Sequence, residues 1–297
     1  SISIWLYGVL LLFITISIQA LLSTINIEIM QRLIFIFISY SCYYYIICCL
    51  TTYFSSSFKN NTSALSSILG IWIIWTIFLP KIWGNAVEEV YPLPSRQNFK
   101  LIMKEDRSKG IDGHDPSDQR REQLKNKYLA EYNVDSLNQL PINFDGIVMQ
   151  ADEEYGNLVW DKHFGNNYFI LKRQKRLYQL SGLFNPFSSL QNLSMGLCGN
   201  DMVHHLDFLK QAEDYRRYLI KALNDKHAFG GSKTGNWKWT VDSVFFKSVE
   251  KFEYKTPQIE NQIGHYVIDV FFLMLWILIT TLLINLHTKK NNYEQIL

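Results

Sequence analysis

Four stretches of the chain are apolar almost throughout, and a long polar stretch separates the third from the fourth. The apolar stretches cover residues 3–24, 32–53, 64–84 and 264–286. Each is close to the ~20 residues with which an α-helix crosses about 30 Å of hydrocarbon. The pattern therefore predicts four transmembrane helices. The polar stretch, from Glu88 to Gln262, must then fold on one side of the membrane.

Two lysines near the C-terminus orient these predicted helices. Lys289 and Lys290 follow the last apolar stretch, and lysines beside membrane helices are enriched on the cytoplasmic side. The predicted fold is thus an all-α membrane protein with a large, mostly helical domain outside the membrane. Its expected parts are three transmembrane helices in residues 1–87, an extracytoplasmic domain in residues 88–262, a final transmembrane helix in residues 263–287 and a cytoplasmic tail in residues 288–297.

The polar stretch itself shows mainly helical spacing of its apolar residues. From Ala151 to about Leu183 this spacing predicts one long helix, or two helices broken near Gly165. Asp115 followed by proline predicts an N-cap for a helix over Ser117–Tyr132. A further helix is expected from Asp201 to about His227.

Three other segments of the polar stretch have their own patterns. Trp237–Val241 alternates and predicts a short strand or an extended arm. Gly230–Asn236 is a glycine-rich turn cluster, whose residue order does not match a phosphate-binding loop. Phe187–Cys198 is apolar and uncharged, so we expect it to lie against the membrane surface or to cap the helical bundle.

The charges of the polar stretch argue against nucleic acid as a partner. Of the 29 Lys+Arg, all but five lie there, and of the 27 Asp+Glu, all but three, so its net charge is zero. Binding to nucleic-acid phosphates needs a surplus of lysine and arginine. The basic run Lys172–Arg176 is interpreted as a solvated helix face. The four cysteines indicate no disulfide framework, since three lie in a predicted membrane helix.

Asp112, His114 and Asp118 lie close together in sequence around Asp115 and form the first candidate site. An imidazole and several carboxylates could hold a divalent cation or transfer protons. Their spacing fits neither an EF-hand loop nor a zinc-binding helix with two histidines. The alternative interpretation, a turn followed by a helix cap, explains the same residues.

His204 and His205 form a second weak metal candidate. Adjacent residues of a helix point about 100° apart, so both cannot easily bind one ion. The alternative is that His204 pairs with Asp207 or Phe208 across a helical turn while His205 faces another helix.

Asp269 and His265 form a polar candidate in the last predicted membrane helix. They are four residues apart, a spacing that places both on one helix face. An intramembrane carboxylate is a functional candidate by default. Asp269 lies near the predicted outer boundary of the membrane, which favours interfacial hydrogen bonding over ion coupling. The chain shows no nucleophile motif, so no catalytic residue and no cofactor are predicted for it.

Six short motifs stand out in the polar stretch. They are Pro94–Gln97, Gly110–Asp118, Pro141–Gly146, Glu153–Asn157, Asn192–Gly196 and His204-His205. Together they resemble a bacterial family of type 2 ABC transporter permeases, whose domain has no known function. The resemblance is dense in the polar stretch and rests only on pattern in the flanking helices.

The resemblance implies a larger assembly in the bacterial inner membrane. Such permeases usually have six membrane helices, with a segment outside the membrane between the last two. The four helices would then be the third to the sixth, which agrees with the expectation that a chain apolar from Ile2 lacks its natural N-terminal region. A partner ATPase would bind ATP and Mg²⁺. A second copy of the chain, or a homologous permease, would complete the translocation path through the membrane.

Two hypotheses of function follow. The first is a permease subunit of an ATP-driven transporter. Export is its expected direction, and the sequence predicts no particular substrate. The second is a membrane-anchored extracytoplasmic receptor or metal-handling protein that has no ATPase partner.

Overall fold

The computed structural model describes residues 2–22 and 26–296, and these residues are mostly helical, with no strand. The prediction of an all-α protein is therefore confirmed for the described part of the chain. The helices are α1 (Ile2–Leu22), α2 (Ile27–Ser57), α3 (Asn61–Ile73), α4 (Leu79–Val90), α5 (Arg96–Lys109), α6 (Ser117–Glu131), α7 (Phe144–Gln179), α8 (Pro186–Leu197), α9 (Met202–Phe229), α10 (Ser243–Ser248), α11 (Ile259–Gln262) and α12 (Val267–Ile296).

Three helical segments are long and apolar enough to cross a membrane, so the chain is that of a membrane protein. They are Ile27–Ser57, Asn61–Val90 and Val267–Lys289. The first predicted span corresponds to a shorter apolar helix, Ser3–Gln19. A fourth crossing, and the side of the membrane on which residues 88–262 lie, stay predictions. Helix α12 continues through the predicted tail as far as Ile296.

The chain divides into two compact units. Unit 1 consists of Ser1–Pro92, Lys172–Asp207 and Thr256–Leu297, and unit 2 consists of Leu93–Leu171 and Phe208–Lys255. Unit 1 thus contains a segment, Lys172–Asp207, that comes from within the polar stretch.

In unit 1, helix α8 packs against α2 and α12. Its buried Leu193 shares a core with Ile46, Tyr266 and Leu273. The helix can be buried because it carries no charge. Gly196 permits the close approach, since a Cβ there would collide with the ring of Tyr266. The segment expected at the membrane surface or at the end of the bundle is therefore a packed helix of unit 1.

A π-helical turn, Ile74–Phe78, joins α3 to α4, and Pro80 follows it at the start of α4. The N–H of Leu79 donates to the carbonyl of Ile74, five residues back. The carbonyl of Trp75 therefore lacks Leu79 as a donor, and the next residue, Pro80, has no N–H. The buried side chain of Asn185 supplies the missing donor, since its Nδ2 lies 2.8 Å from the Trp75 oxygen.

Unit 2 is built around the N-terminal end of α7. Its buried core consists of Leu140, Ile142, Phe144, Ile147 and Ala228. A Cβ added at Gly146 would lie 2.6 Å from the backbone nitrogen of Ala228, so α7 and α9 are in close contact there. Helix α7 runs for 36 residues without a break at Gly165, so the prediction of one long helix is confirmed and the alternative of two is wrong.

The start of α6 differs from the prediction. Pro116 occupies the N-cap with extended backbone, at φ −67° and ψ 147°, and no side chain caps the helix. Because proline takes the cap position itself, Asp115 lies one residue too early to be the N-cap, and that prediction is wrong. A carboxylate oxygen of Asp115 instead lies 3.5 Å from Nη1 of Arg120.

The predicted strand at Trp237–Val241 is absent from the described structure, where the segment forms turns and extended coil. The rings of Trp237 and Trp239 pack beside His227, with centroids 5.9 and 5.7 Å apart, so these residues contact a helix end and not a second strand. The preceding turn is fixed to the start of α7, because Thr234 Oγ1 accepts a hydrogen bond from the N–H of Phe144 at 2.9 Å.

Candidate functional site

A group of buried and half-buried polar side chains surrounds the start of α12 in unit 1. The group combines residues from the last turns of α7, from α8, from the start of α9 and from the start of α12. We call it the junction cluster, and its members are Lys175, Gln179, Asn192, Asp201, His204, Tyr266 and Asp269.

Asp201 is the charged centre of the cluster. It immediately precedes α9, and its Oδ1 accepts from the backbone N–H of His204 at 3.1 Å, as an N-cap residue does. The same oxygen lies 2.7 Å from His204 Nδ1, which must be the donor because an ionised carboxylate only accepts. The other oxygen, Oδ2, accepts from Lys175 and from the hydroxyl of Tyr266, the latter at 2.8 Å.

These contacts decide which groups of the cluster are charged. Burial alone would raise the pKa of Asp201, but the hydrogen bonds from His204, Lys175 and Tyr266 and the charge of Lys175 hold that pKa well below its usual range. Burial and the neighbouring Asp201 raise the pKa of Tyr266 far above its usual value. Asp201 is thus an anion held by a neutral tyrosine and a lysine.

Lys175 also contacts the aromatic face of Tyr266. Its Nζ lies 4.4 Å from the ring centroid, within the range of a cation–π interaction. The lysine belongs to the basic run that we interpreted as a solvated helix face, and its own side chain is only 14% exposed. That interpretation is therefore wrong for Lys175.

Asp269 is fully buried one helical turn into α12. Gln179 Nε2 donates to Oδ2 at 2.5 Å, and Asn192 Nδ2 donates to Oδ1 at 2.9 Å. Gln179 also donates to the backbone carbonyl of His265 at 2.8 Å. Two side-chain amides therefore connect the start of α12 to the end of α7 and to α8.

A family model described as Domain of unknown function (DUF3526) matches residues 97–255, more than half of the 297 residues. The chain belongs to this family. No curated protein and no solved structure matches the chain. The description of the DUF3526 family gives no activity, so a type 2 ABC permease stays a prediction.

The DUF3526 match divides the junction cluster. Lys175, Gln179, Asn192, Asp201 and His204 lie within the matched residues 97–255. Tyr266 and Asp269 lie outside them, at the start of the last membrane-length helix. Within unit 1, the cluster is therefore one place where the family segment forms hydrogen bonds with that helix.

His265 does not share a helix face with Asp269, so that prediction is wrong. His265 is exposed and ends a 3₁₀ turn, Ile263–His265. Helix α12 begins only at Val267, because Tyr266 has non-helical backbone angles, φ −118° and ψ 2°. His265 therefore lies outside α12, whereas Asp269 lies in its first turn.

The other metal candidates are dispersed. Asp112, His114 and Asp118 are exposed, and Asp112 Oδ1 accepts from the backbone N–H of His114 at 3.1 Å within a turn. His205 is exposed, so the expectation that it faces another helix is wrong, whereas His204 is buried beside Asp201. Among the side chains that the structure describes, no group of three or more His, Cys, Asp or Glu residues could hold a metal ion.

A second polar contact in unit 1 involves the start of α2. Arg32 Nε lies 2.8 Å from Glu28 Oε1, one helical turn earlier. The guanidinium also donates to the carbonyls of Leu197 at 3.1 Å and Pro257 at 2.8 Å. Glu28 accepts from the N–H of Ile259 at 2.8 Å. Sequence reasoning missed this pair, although an acid and a base at i and i+4 are a recognisable signal.

Proposed function

We propose that the chain is the membrane-spanning permease subunit of an ATP-driven ABC transporter, with export as the expected direction. A separate ATPase subunit would bind ATP and Mg²⁺, and a second copy or a homologous permease would complete the path. The chain itself would have no catalytic residue. In this proposal the four apolar helices are the last four of six, residues 88–262 lie outside the bacterial inner membrane, and the C-terminus is cytoplasmic.

The junction cluster is the observation that supports this proposal most. A transporter subunit has to pass movement between its membrane helices and the rest of its fold. Asp201, Tyr266 and Asp269 form buried hydrogen bonds that fix the start of α12 to α7, α8 and α9. Losing one partner of a buried ion pair costs about 3–5 kcal/mol. The start of α12 should therefore move together with these partners.

The turn between α2 and α3 is the expected contact for the ATPase. Residues 55–63 are all exposed there, and the turn contains Lys59. The proposed orientation places this turn in the cytoplasm, on the same side as the C-terminus.

Co-purification of the full-length protein tests the proposal. We expect an ATPase subunit, encoded beside this gene, to accompany the protein, and its activity in the complex to depend on it. Lys59→Glu should reduce the amount of bound ATPase several-fold. Lys100→Glu is a matched charge reversal at an exposed position of α5 and should leave it unchanged.

The result that contradicts the proposal is equally direct. If the full-length protein purifies without any nucleotide-binding subunit, the permease hypothesis is wrong. A membrane-anchored receptor or metal-handling protein would then be the remaining hypothesis.

A further inference from the structure

Unit 2 exposes a group of large apolar side chains around the C-terminal end of α9. Phe229 and Phe246 are each 58% exposed, and Trp237 and Val244 are each 69% exposed. We call these four residues the aromatic patch. Single exposed apolar residues are common, but a contiguous group of large ones marks an interaction surface.

Ring contacts place the segments that carry the patch close to one another. The His227 ring, two residues before Phe229, lies 5.9 Å from the ring of Trp237. Lys226 Nζ lies 5.7 Å from the ring centroid of Phe245, the neighbour of Phe246 in α10. The last turn of α9 thus contacts both the tryptophan segment and the short helix α10.

The backbone that carries the patch is held by hydrogen bonds. Asp242 caps α10 by accepting from the N–H of Phe245 at 3.0 Å. In the preceding turn, Ser232 accepts from the buried side chain of Asn143 at 2.6 Å. The apolar side chains are therefore displayed to solvent by a fixed backbone.

The stretch of chain that carries the patch is rich in lysine. Residues 226–248 contain four lysines and one acidic residue, Asp242, which gives a net charge of +3 where residues 88–262 as a whole are neutral. The single carboxylate is occupied as the cap of α10. The four lysines are Lys226, Lys233, Lys238 and Lys247.

We propose that the aromatic patch binds the anionic lipid surface of the bilayer that holds the chain's own apolar helices. Tryptophan and phenylalanine favour the boundary between headgroups and acyl chains, and lysines are attracted to anionic headgroups. The four lysines add positive charge beside the apolar side chains, and the headgroups of anionic lipids complement that charge.

Because unit 2 is part of the same chain as the membrane-length helices, the patch needs only a weak affinity for lipid to bind the bilayer. Unit 2 is joined to the membrane-length helices of unit 1 through the chain itself, so it stays tethered to the bilayer. Tethering turns a weak second contact into an effectively intramolecular one. The inference needs only that the chain is embedded in a membrane, and it holds whether or not an ATPase partner exists.

Spin-label accessibility on the full-length protein tests the proposal. A variant lacking Cys42, Cys48, Cys49 and Cys198 would receive one label, at Phe246→Cys or at the exposed control position Glu131→Cys in α6. Each protein would be placed in nanodiscs of phosphatidylcholine, with or without phosphatidylglycerol. The measurement compares collision with oxygen, which enters lipid, against collision with a water-soluble nickel complex.

With phosphatidylglycerol present, the label at position 246 should be several-fold less accessible to nickel than the label at position 131. Replacing Lys238 and Lys247 by glutamine should reduce this protection. Equal nickel accessibility at both positions in anionic nanodiscs would overturn the proposal. Protection that occurs only in native membranes, and not in purified lipid, would also overturn it, because a protein partner would then cover the patch.

Discussion

Replacing Asn185 by alanine should destabilise unit 1, and this loss of stability should be smaller when Pro80 is also replaced by alanine. Asn185 is fully buried, and its Nδ2 donates to the carbonyl of Trp75 at 2.8 Å and to Ser188 Oγ at 2.9 Å. Its Oδ1 accepts from the N–H of Phe187 at 3.0 Å, which makes it the N-cap of α8.

The expected magnitude follows from the two roles of Asn185. A buried carbonyl left without a donor costs about 1–3 kcal/mol. Loss of an N-cap side chain costs about 1 kcal/mol. Asn185→Ala should therefore lower the free energy of unfolding by about 2–4 kcal/mol. Alanine at position 80 has an N–H that can serve the Trp75 carbonyl, so in the Pro80→Ala background only the cap contribution should be lost.

The assay is a double-mutant cycle on full-length protein in one detergent, with unfolding followed by denaturant or heat. We expect a coupling free energy of about 1–3 kcal/mol between Asn185→Ala and Pro80→Ala. Asn126→Ala, at an exposed position of α6, is the control and should change stability by less than about 0.5 kcal/mol. An equal loss from Asn185→Ala with and without Pro80 would refute the reasoning, because the proline would then not be why Trp75 needs a donor.

Further variants test the helix contact in unit 2 and the charge in the junction cluster. Gly146→Ala should destabilise unit 2 by about 1–3 kcal/mol, because the new Cβ would lie 2.6 Å from the backbone nitrogen of Ala228. Gly165→Ala in the same helix should stabilise unit 2 by about 0.5–1 kcal/mol, since nothing lies within 4 Å of its new Cβ. If thermal unfolding showed that both variants are less stable than wild type, the described packing would be wrong. Tyr266→Phe should cost about 1.5–3 kcal/mol near neutral pH, since Asp201 loses a donor. The folded-state pKa of Asp201 is below its unfolded value of about 3.9, so this contribution is complete above about pH 4 and is lost as the pH falls through the folded-state pKa. Acid unfolding curves should show the difference between wild type and Tyr266→Phe narrowing below pH 4, and a constant difference would count against an ionised Asp201.

Local signals predicted the helices well but not where each helix would lie. The apolar stretches and the spacing in Ala151–Leu183 depend on neighbours within a few positions, so the membrane-length helices and the long α7 could be predicted. The cap at Asp115 failed because Pro116 took the position itself. The cap at Asn185, which also precedes a proline, was not predicted and is present in the structure.

The junction cluster could not be predicted because its partners are distant in sequence. Asp201 and Lys175 are 26 positions apart, and Asp201 and Tyr266 are 65 positions apart. Only the contact between Asp201 and His204, three positions apart, has a local signal, since an aspartate before a helix caps the N–H groups of its first turn. Lys175 was interpreted as solvated because its neighbours in sequence are basic. The carboxylate that pairs with it, Asp201, lies just before α9 and is distant in sequence.

The three membrane-length segments share one polar partner within unit 1, the segment Lys172–Asp207. Helix α2 donates to it from Arg32 to the Leu197 carbonyl, the π-turn accepts from Asn185 at Trp75, and α12 accepts from Gln179 and Asn192 at Asp269. Apolar helices have no hydrophobic reason to associate within lipid, so polar contacts and close packing must position them. A movement of any of these helices against Lys172–Asp207 would require these hydrogen bonds to break. Variants of Asn185, Gln179 and Asn192, which donate at Trp75 and Asp269, would measure how much the bonds resist that movement.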